Sequence, residues 1–166
     1  MIHSRRSVLA LGTAVLIFPA TARAAVREIG WEDLIPPGVP YSEIIGEGDL
    51  DEVNDTWNPI FDENATKLNE TLDGTLIRMP GFVIPLELNA EGVTEFMLVP
   101  YVGACLHMPP PPANQLVVVT TETPWPDDAL WDPVWVTGTL RMELQSTELA
   151  QTGYALRATD MEKYIW

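Results

Sequence analysis

Five short runs of β-forming residues follow Gly74, and they leave few folds open. Thr75 to Leu86 reads as the first strand, with Pro80-Gly81 as a bend or bulge inside it. Glu95 to Tyr101 is an apolar second strand, and Gln115 to Thr121 is a Val-rich third. Val134 to Glu143 alternates, with Val134, Val136, Gly138, Leu140 and Met142 on one face. Tyr154 to Met161 puts Tyr154, Leu156, Ala158 and Asp160 on one face and Ala155, Arg157, Thr159 and Met161 on the other. Five strands with a glycine inside the fourth predict a mainly β protein built on a small five-stranded OB-like barrel. An open sandwich is the alternative. No internal repeat is visible.

The segment before the barrel has a different character. Residues 25–41 read as an irregular lead-in, with Trp31, Leu34 and Ile35 available to pack and Pro36-Pro37-Gly38 ending any helix. Residues 42–73 are strongly acidic and hold one basic residue, Lys67. Short helical stretches are expected around Gly48 to Trp57 and around Pro59 to Leu72, the second closed by Asp73-Gly74. A calcium loop starting at Asp49 fails, because Val53 takes a ligand position and Asn54 replaces the required glycine. The expected division is 1–24, 25–73 as an acidic, partly helical extension, and 74–166 as the barrel-like core.

Residues 1–24 read as a removable export signal. Arg5 and Arg6 supply the positive start, Val8 to Ala22 an apolar run, and Ala22-Arg23-Ala24 the small residues a signal peptidase reads. The run, at about 15 residues, is short of the roughly 20 that a spanning helix needs. No stable membrane insertion is therefore expected after cleavage. No cysteine stands at the cleavage region to carry a lipid. Ser4-Arg5-Arg6-Ser7-Val8-Leu9 also resembles a twin-arginine signal, which exports folded proteins. The expected location is periplasmic or secreted. Cleavage removes three arginines and no acid, so the formal charge falls from −15 to −18. Such a chain repels phosphate backbones, which disfavours nucleic acid as a partner.

The least ordinary segment runs from Val102 to Gln115. Pro109, Pro110, Pro111 and Pro112 lack backbone donors and preset φ, so they form a stiff rod. Just before them stand Cys105, the sole cysteine, and His107, the sole histidine outside the export signal. In extended backbone these two point to one face. A lone thiol in an oxidising compartment calls for burial, metal ligation or reactivity. Sulfur and imidazole suit zinc, and Met108 adds a soft ligand for Cu(I). A thiol-dependent enzyme, with His107 as base for Cys105, is a second reading. A third is an interaction module that docks a partner on the proline rod. A buried small cysteine beside a hydrogen-bonded loop histidine is the bland reading. Trp125, Trp131 and Trp135, interleaved with Pro124, Pro126 and Pro133, are candidates to cover the rod from within the chain.

These residues also resemble a family. Leu72-Asp73-Gly74, Pro80-Gly81-Phe82-Val83-Ile84-Pro85-Leu86 and the string from Phe96 to Met108 followed by four prolines and Asn114-Gln115 are similar to an uncharacterised family of exported bacterial proteins, a domain of unknown function. Val134 to Leu140, Gly153-Tyr154 and Trp31-Glu32-Asp33-Leu34 extend the likeness over nearly the whole mature chain. The resemblance implies company with ABC-type transporters and metal-responsive systems. Together the readings predict a non-enzymatic exported accessory protein, with Cys105, His107 and Met108 as metal ligands for zinc or copper. Gly103, Pro109 to Pro112, Asn114 and Gln115 are expected to form the binding or structural loop, and an ABC-type transporter component is the expected partner.

Overall fold

The computed structural model describes residues 25–51, 56–102, 110–126, 132–147 and 149–165. Strand β1 (Arg27–Glu28) leads into a 3₁₀ turn, η1 (Trp31–Leu34). Strands β2 (Ile44–Asp51) and β3 (Thr56–Phe61) form an antiparallel ribbon of their own. Two more 3₁₀ turns follow, η2 (Glu63–Thr66) and η3 (Glu70–Leu72), each opened by a side-chain cap from Asp62 or Asn69. Then come β4 (Leu76–Asn89), β5 (Gly92–Val99), η4 (Ala113–Gln115), β6 (Val117–Trp125), β7 (Val134–Ser146) and β8 (Gln151–Lys163).

The barrel has strand order β4-β5-β6-β8-β7 and closes where β4 also pairs with β7. All contacts are antiparallel except β6–β8, which runs parallel from Val117↔Tyr154 to Thr121↔Ala158. This is the five-stranded Greek-key arrangement of an OB barrel, here closed by the β4–β7 pairing. Closure depends on β4 serving two neighbours. Leu76 to Gly81 pairs with β7, and Phe82 to Asn89 pairs with β5. Pro80-Gly81, expected as a bend, stands at this change of partner. A Cβ on Gly81 would lie 2.8 Å from Leu98 Cγ and 2.9 Å from Val99 O, so only glycine lets β4 turn that corner against β5.

Alternation along the strands fills the barrel. Ile77, Met79, Phe96, Leu98, Leu140 and Leu156 are fully or almost fully buried in one cluster. Met97 and Val99, on the opposite face of β5, are buried too, under a second cluster with Leu116 and Tyr101. The inward face of β7 matches the expected Val134, Val136, Gly138 and Leu140. On β8 the match breaks late. Gly138 pairs with Ala158 and Thr137 with Asp160, which leaves Thr159 as an extra residue. That bulge shifts the parity, so Asp160 is exposed and Met161 packs on the core.

The acidic segment is partly helical, through η1, η2 and η3. The stretch around Gly48 to Trp57, expected as helix, departs from that: residues 44–51 and 56–61 are strand. Gly46 and Gly48 are poor helix formers, and Gly48 has a positive φ of 62° where β2 bulges against β3. Among the described residues no helix is long and apolar enough to cross a membrane.

Candidate functional site

The proline segment enters the described structure at Pro110 and runs into η4. Pro112 caps that turn in extended backbone, and its carbonyl accepts from Gln115 N at 2.8 Å. Pro111 and Pro112 are buried, as are Asn114 and Gln115. Asn114 Nδ2 donates to the carbonyls of Asn64 (2.9 Å) and Lys67 (3.2 Å). Gln115 Nε2 donates to the carbonyls of Trp31 (3.0 Å) and Asn114 (3.0 Å). Two side chains after the proline run thus bond backbone carbonyls around η1 and η2. Asn114 Oδ1 is buried without a partner.

A second pair of residues extends this clamp to η3. The fully buried Tyr154 hydroxyl donates to Leu34 O at 2.6 Å and accepts from Asn69 N at 2.6 Å. Asn69 Nδ2 donates to Asp33 O at 2.7 Å. Burial pushes the Tyr154 phenol up to about 12, while the Asn69 N–H opposes that rise. Its neighbour Gly153 is required by close approach. A Cβ there would meet Leu68 Cδ2 at 2.6 Å and Ala113 O at 2.8 Å, pushing β8 away from η4.

Between this clamp and the ribbon lies a groove of about 290 Å³, lined by Pro110, Pro111 and Ala113 on one side and Phe61, Asp62 and Ala65 on the other. Asp62 Oδ1 accepts from Ser42 Oγ at 2.8 Å and Asn64 N at 2.9 Å. The Ser42 hydroxyl, ahead of the backbone N–H groups of Asn64 and Glu43, holds its carboxyl below the usual carboxylate range. The loop's other foot is Tyr101, packed on the outer cluster of β5. Tyr41 lies near it: burial, with Tyr101 adding, pushes the Tyr41 phenol up.

A family model described as protein of unknown function (DUF3299) matches residues 31–163. The chain belongs to the DUF3299 family. A crystal structure of a DUF3299 family protein from Pseudomonas aeruginosa PAO1 is similar at 35% identity and a TM-score of 0.68, covering 86% of this chain and 99% of that one. A structure provisionally described as an aspartyl-tRNA synthetase from Leishmania major Friedlin reaches 10% identity and a TM-score of 0.42, covering 90% of this chain and 23% of that one. No curated protein matches the chain.

The site residues expected from the sequence divide into two groups. Gly103, Cys105, His107, Met108 and Pro109 lie outside the described residues. Pro110, Pro111, Pro112, Asn114 and Gln115 form the groove wall and the clamp. The expectation that Trp125 and Trp135 cover the proline rod is corrected. Trp125 belongs to the barrel core at the far end of β6, roughly 26 Å of strand from η4. Trp135 stacks on Tyr164 and lies under Arg78, whose guanidinium is 4.1 Å from the ring centroid. Trp131 lies outside the described residues. The cover comes instead from the turns η1 and η2 and from β8. Asp62, Asn69 and the Tyr154 hydroxyl escaped the sequence reading, because their partners are distant in sequence or belong to the backbone. Among the described residues no three His, Cys, Asp or Glu side chains gather as a metal-ligand set.

Proposed function

We propose that this protein is an exported accessory protein that binds zinc or Cu(I) through Cys105 and His107, with Met108 as a further soft ligand, and serves a transporter or metal homeostasis. The observation that carries the reading is the anchoring of the loop that holds them. One foot, Tyr101, packs on the outer cluster of β5, and the other, Pro110 to Gln115, ends in a buried, hydrogen-bonded clamp. Anchored feet reduce the entropy lost when a short loop closes on a metal, and supporting contacts of this kind tune ligand geometry. The acidic surface and the ionised Asp62 in the adjoining groove favour a cation. Burial of Pro111 and Pro112 under the protein's own turns speaks against the rod as a docking surface for a partner.

The test is competition titration of the mature protein, residues 25–166, with zinc and with Cu(I) against chelators of known affinity. One metal per chain is expected, with affinity down at least about tenfold in Cys105→Ala and in His107→Ala. A parent protein that binds no metal, or equal affinity in all three proteins, overturns the reading.

A further inference from the structure

The β2–β3 ribbon carries exposed apolar side chains that the barrel does not use. Ile45 is 67% exposed, Leu50 65% and Ile60 55%. Among the described residues the ribbon is a sheet of two strands. A two-stranded hairpin is marginal by itself, and a third strand would stabilise it. Its base is closed by Asp62 N donating to Glu43 O at 2.9 Å and by the Ser42–Asp62 bond.

The two edges of the ribbon are not equivalent. Asn58 O faces β2, since a Cβ built on Gly48 would lie 1.9 Å from it. The next peptide nitrogen along β3 therefore points to the outer edge, and it belongs to Pro59, which has no N–H. Proline blunts that edge. The β2 edge contains no proline from Ile44 to Asp51, although it bulges between Ile44 and Gly46 and between Gly46 and Asp49, and next to it stand the exposed Glu43, Glu47 and Asp49. Residues 29–66 contain no lysine or arginine. Two such ribbons would repel each other, whereas a basic strand would be attracted.

We infer that the β2–β3 ribbon is a docking arm that takes an extended, alternately apolar and basic segment of a partner protein along its β2 edge. Backbone pairing with β2 supplies the affinity, Ile45 and Leu50 supply apolar contact, and the carboxylates select the charge. The inference does not rest on metal binding at Cys105 and His107.

The probe is a seven-residue peptide alternating Lys and Val, added to the mature protein and followed by backbone amide NMR. Shifts centred on residues 44–51 are expected, with affinity about tenfold weaker when Ile45→Ser and Leu50→Ser are combined. Both side chains are largely exposed, so the variant keeps its fold. Charge reversal by Glu47→Lys with Asp49→Lys is expected to transfer preference to a peptide alternating Glu and Val. The inference is overturned if the Lys–Val peptide does not bind. It is also overturned if a peptide with proline at its central position binds as well, because charge alone would then suffice. Dimerisation of the parent protein that is lost in the Ile45→Ser, Leu50→Ser variant would assign the surface to a second copy and overturn it equally.

Discussion

Tyr154 shows how much of this structure rests on single polar atoms. Its hydroxyl joins Leu34 O and Asn69 N, which belong to two different turns of the N-terminal segment, while its ring fills the barrel. Tyr154→Phe keeps the ring and leaves a buried N–H and a buried carbonyl without that partner. The expected cost is about 1–3 kcal/mol, read as a lower denaturation midpoint with an unchanged slope. The same residue sets a pH dependence. Its folded pKa, pushed up to about 12, stands above the ordinary phenol value of 10.0. Between those values the unfolded chain has lost a proton that the folded chain keeps, so stability falls as pH rises through that window. Thermal unfolding of the parent across the window is expected to show the fall, and Tyr154→Phe is expected to reduce it, leaving the share of Tyr41, whose phenol is also pushed up. The sequence marks Tyr154 as an inward strand residue by alternation. It carries no sign of the hydroxyl's partners, which stand 85 and 120 residues away.

At the scale of elements, glycine sets where strands can approach. A Cβ on Gly138 would lie 2.2 Å from Arg157 O, at the point where β7 and β8 pass the Thr159 bulge. Gly138→Ala is expected to cost about 3 kcal/mol in chemical denaturation, because backbone rather than a flexible side chain must move. A cost under about 0.5 kcal/mol would show that the bulge gives way freely. The glycine was visible in the sequence as an interruption of an alternating strand, and the barrel was legible for that reason. Gly138, the Pro80-Gly81 corner and the period-two runs agree with one another. The bulge at Thr159 was not legible, since an added residue leaves the composition of a strand unchanged, and the inward side passed from Asp160 to Met161. The ribbon was missed for a related cause. Acidic residues and scattered apolar ones between Gly48 and Trp57 imitate a short helix, and only the positive φ at Gly48 and pairing with β3 decide for strand.

For the whole molecule, the barrel gives one end a job that its core does not need. The N-terminal turns, η4 and the start of β8 are pinned together by Asn114, Gln115, Asn69 and Tyr154, and Tyr101 packs on the outer cluster of β5. The sequence displayed the loop's chemistry plainly, as one thiol and one imidazole before four prolines. It displayed the anchoring poorly, because Asn and Gln after a proline run read as turn residues and give no hint that backbone carbonyls at Trp31, Asn64 and Lys67 await them. Phe61, at the end of the ribbon, and Asp62 line one groove with Pro110 and Pro111. The most direct measurement of the central claim is X-ray absorption at the metal edge of the zinc-loaded mature protein. The account predicts a thiolate sulfur scatterer at about 2.3 Å and nitrogen or oxygen scatterers at about 2.0–2.1 Å, with the thiolate contribution lost in Cys105→Ser. A spectrum with no sulfur, or one that Cys105→Ser leaves unchanged, would contradict it.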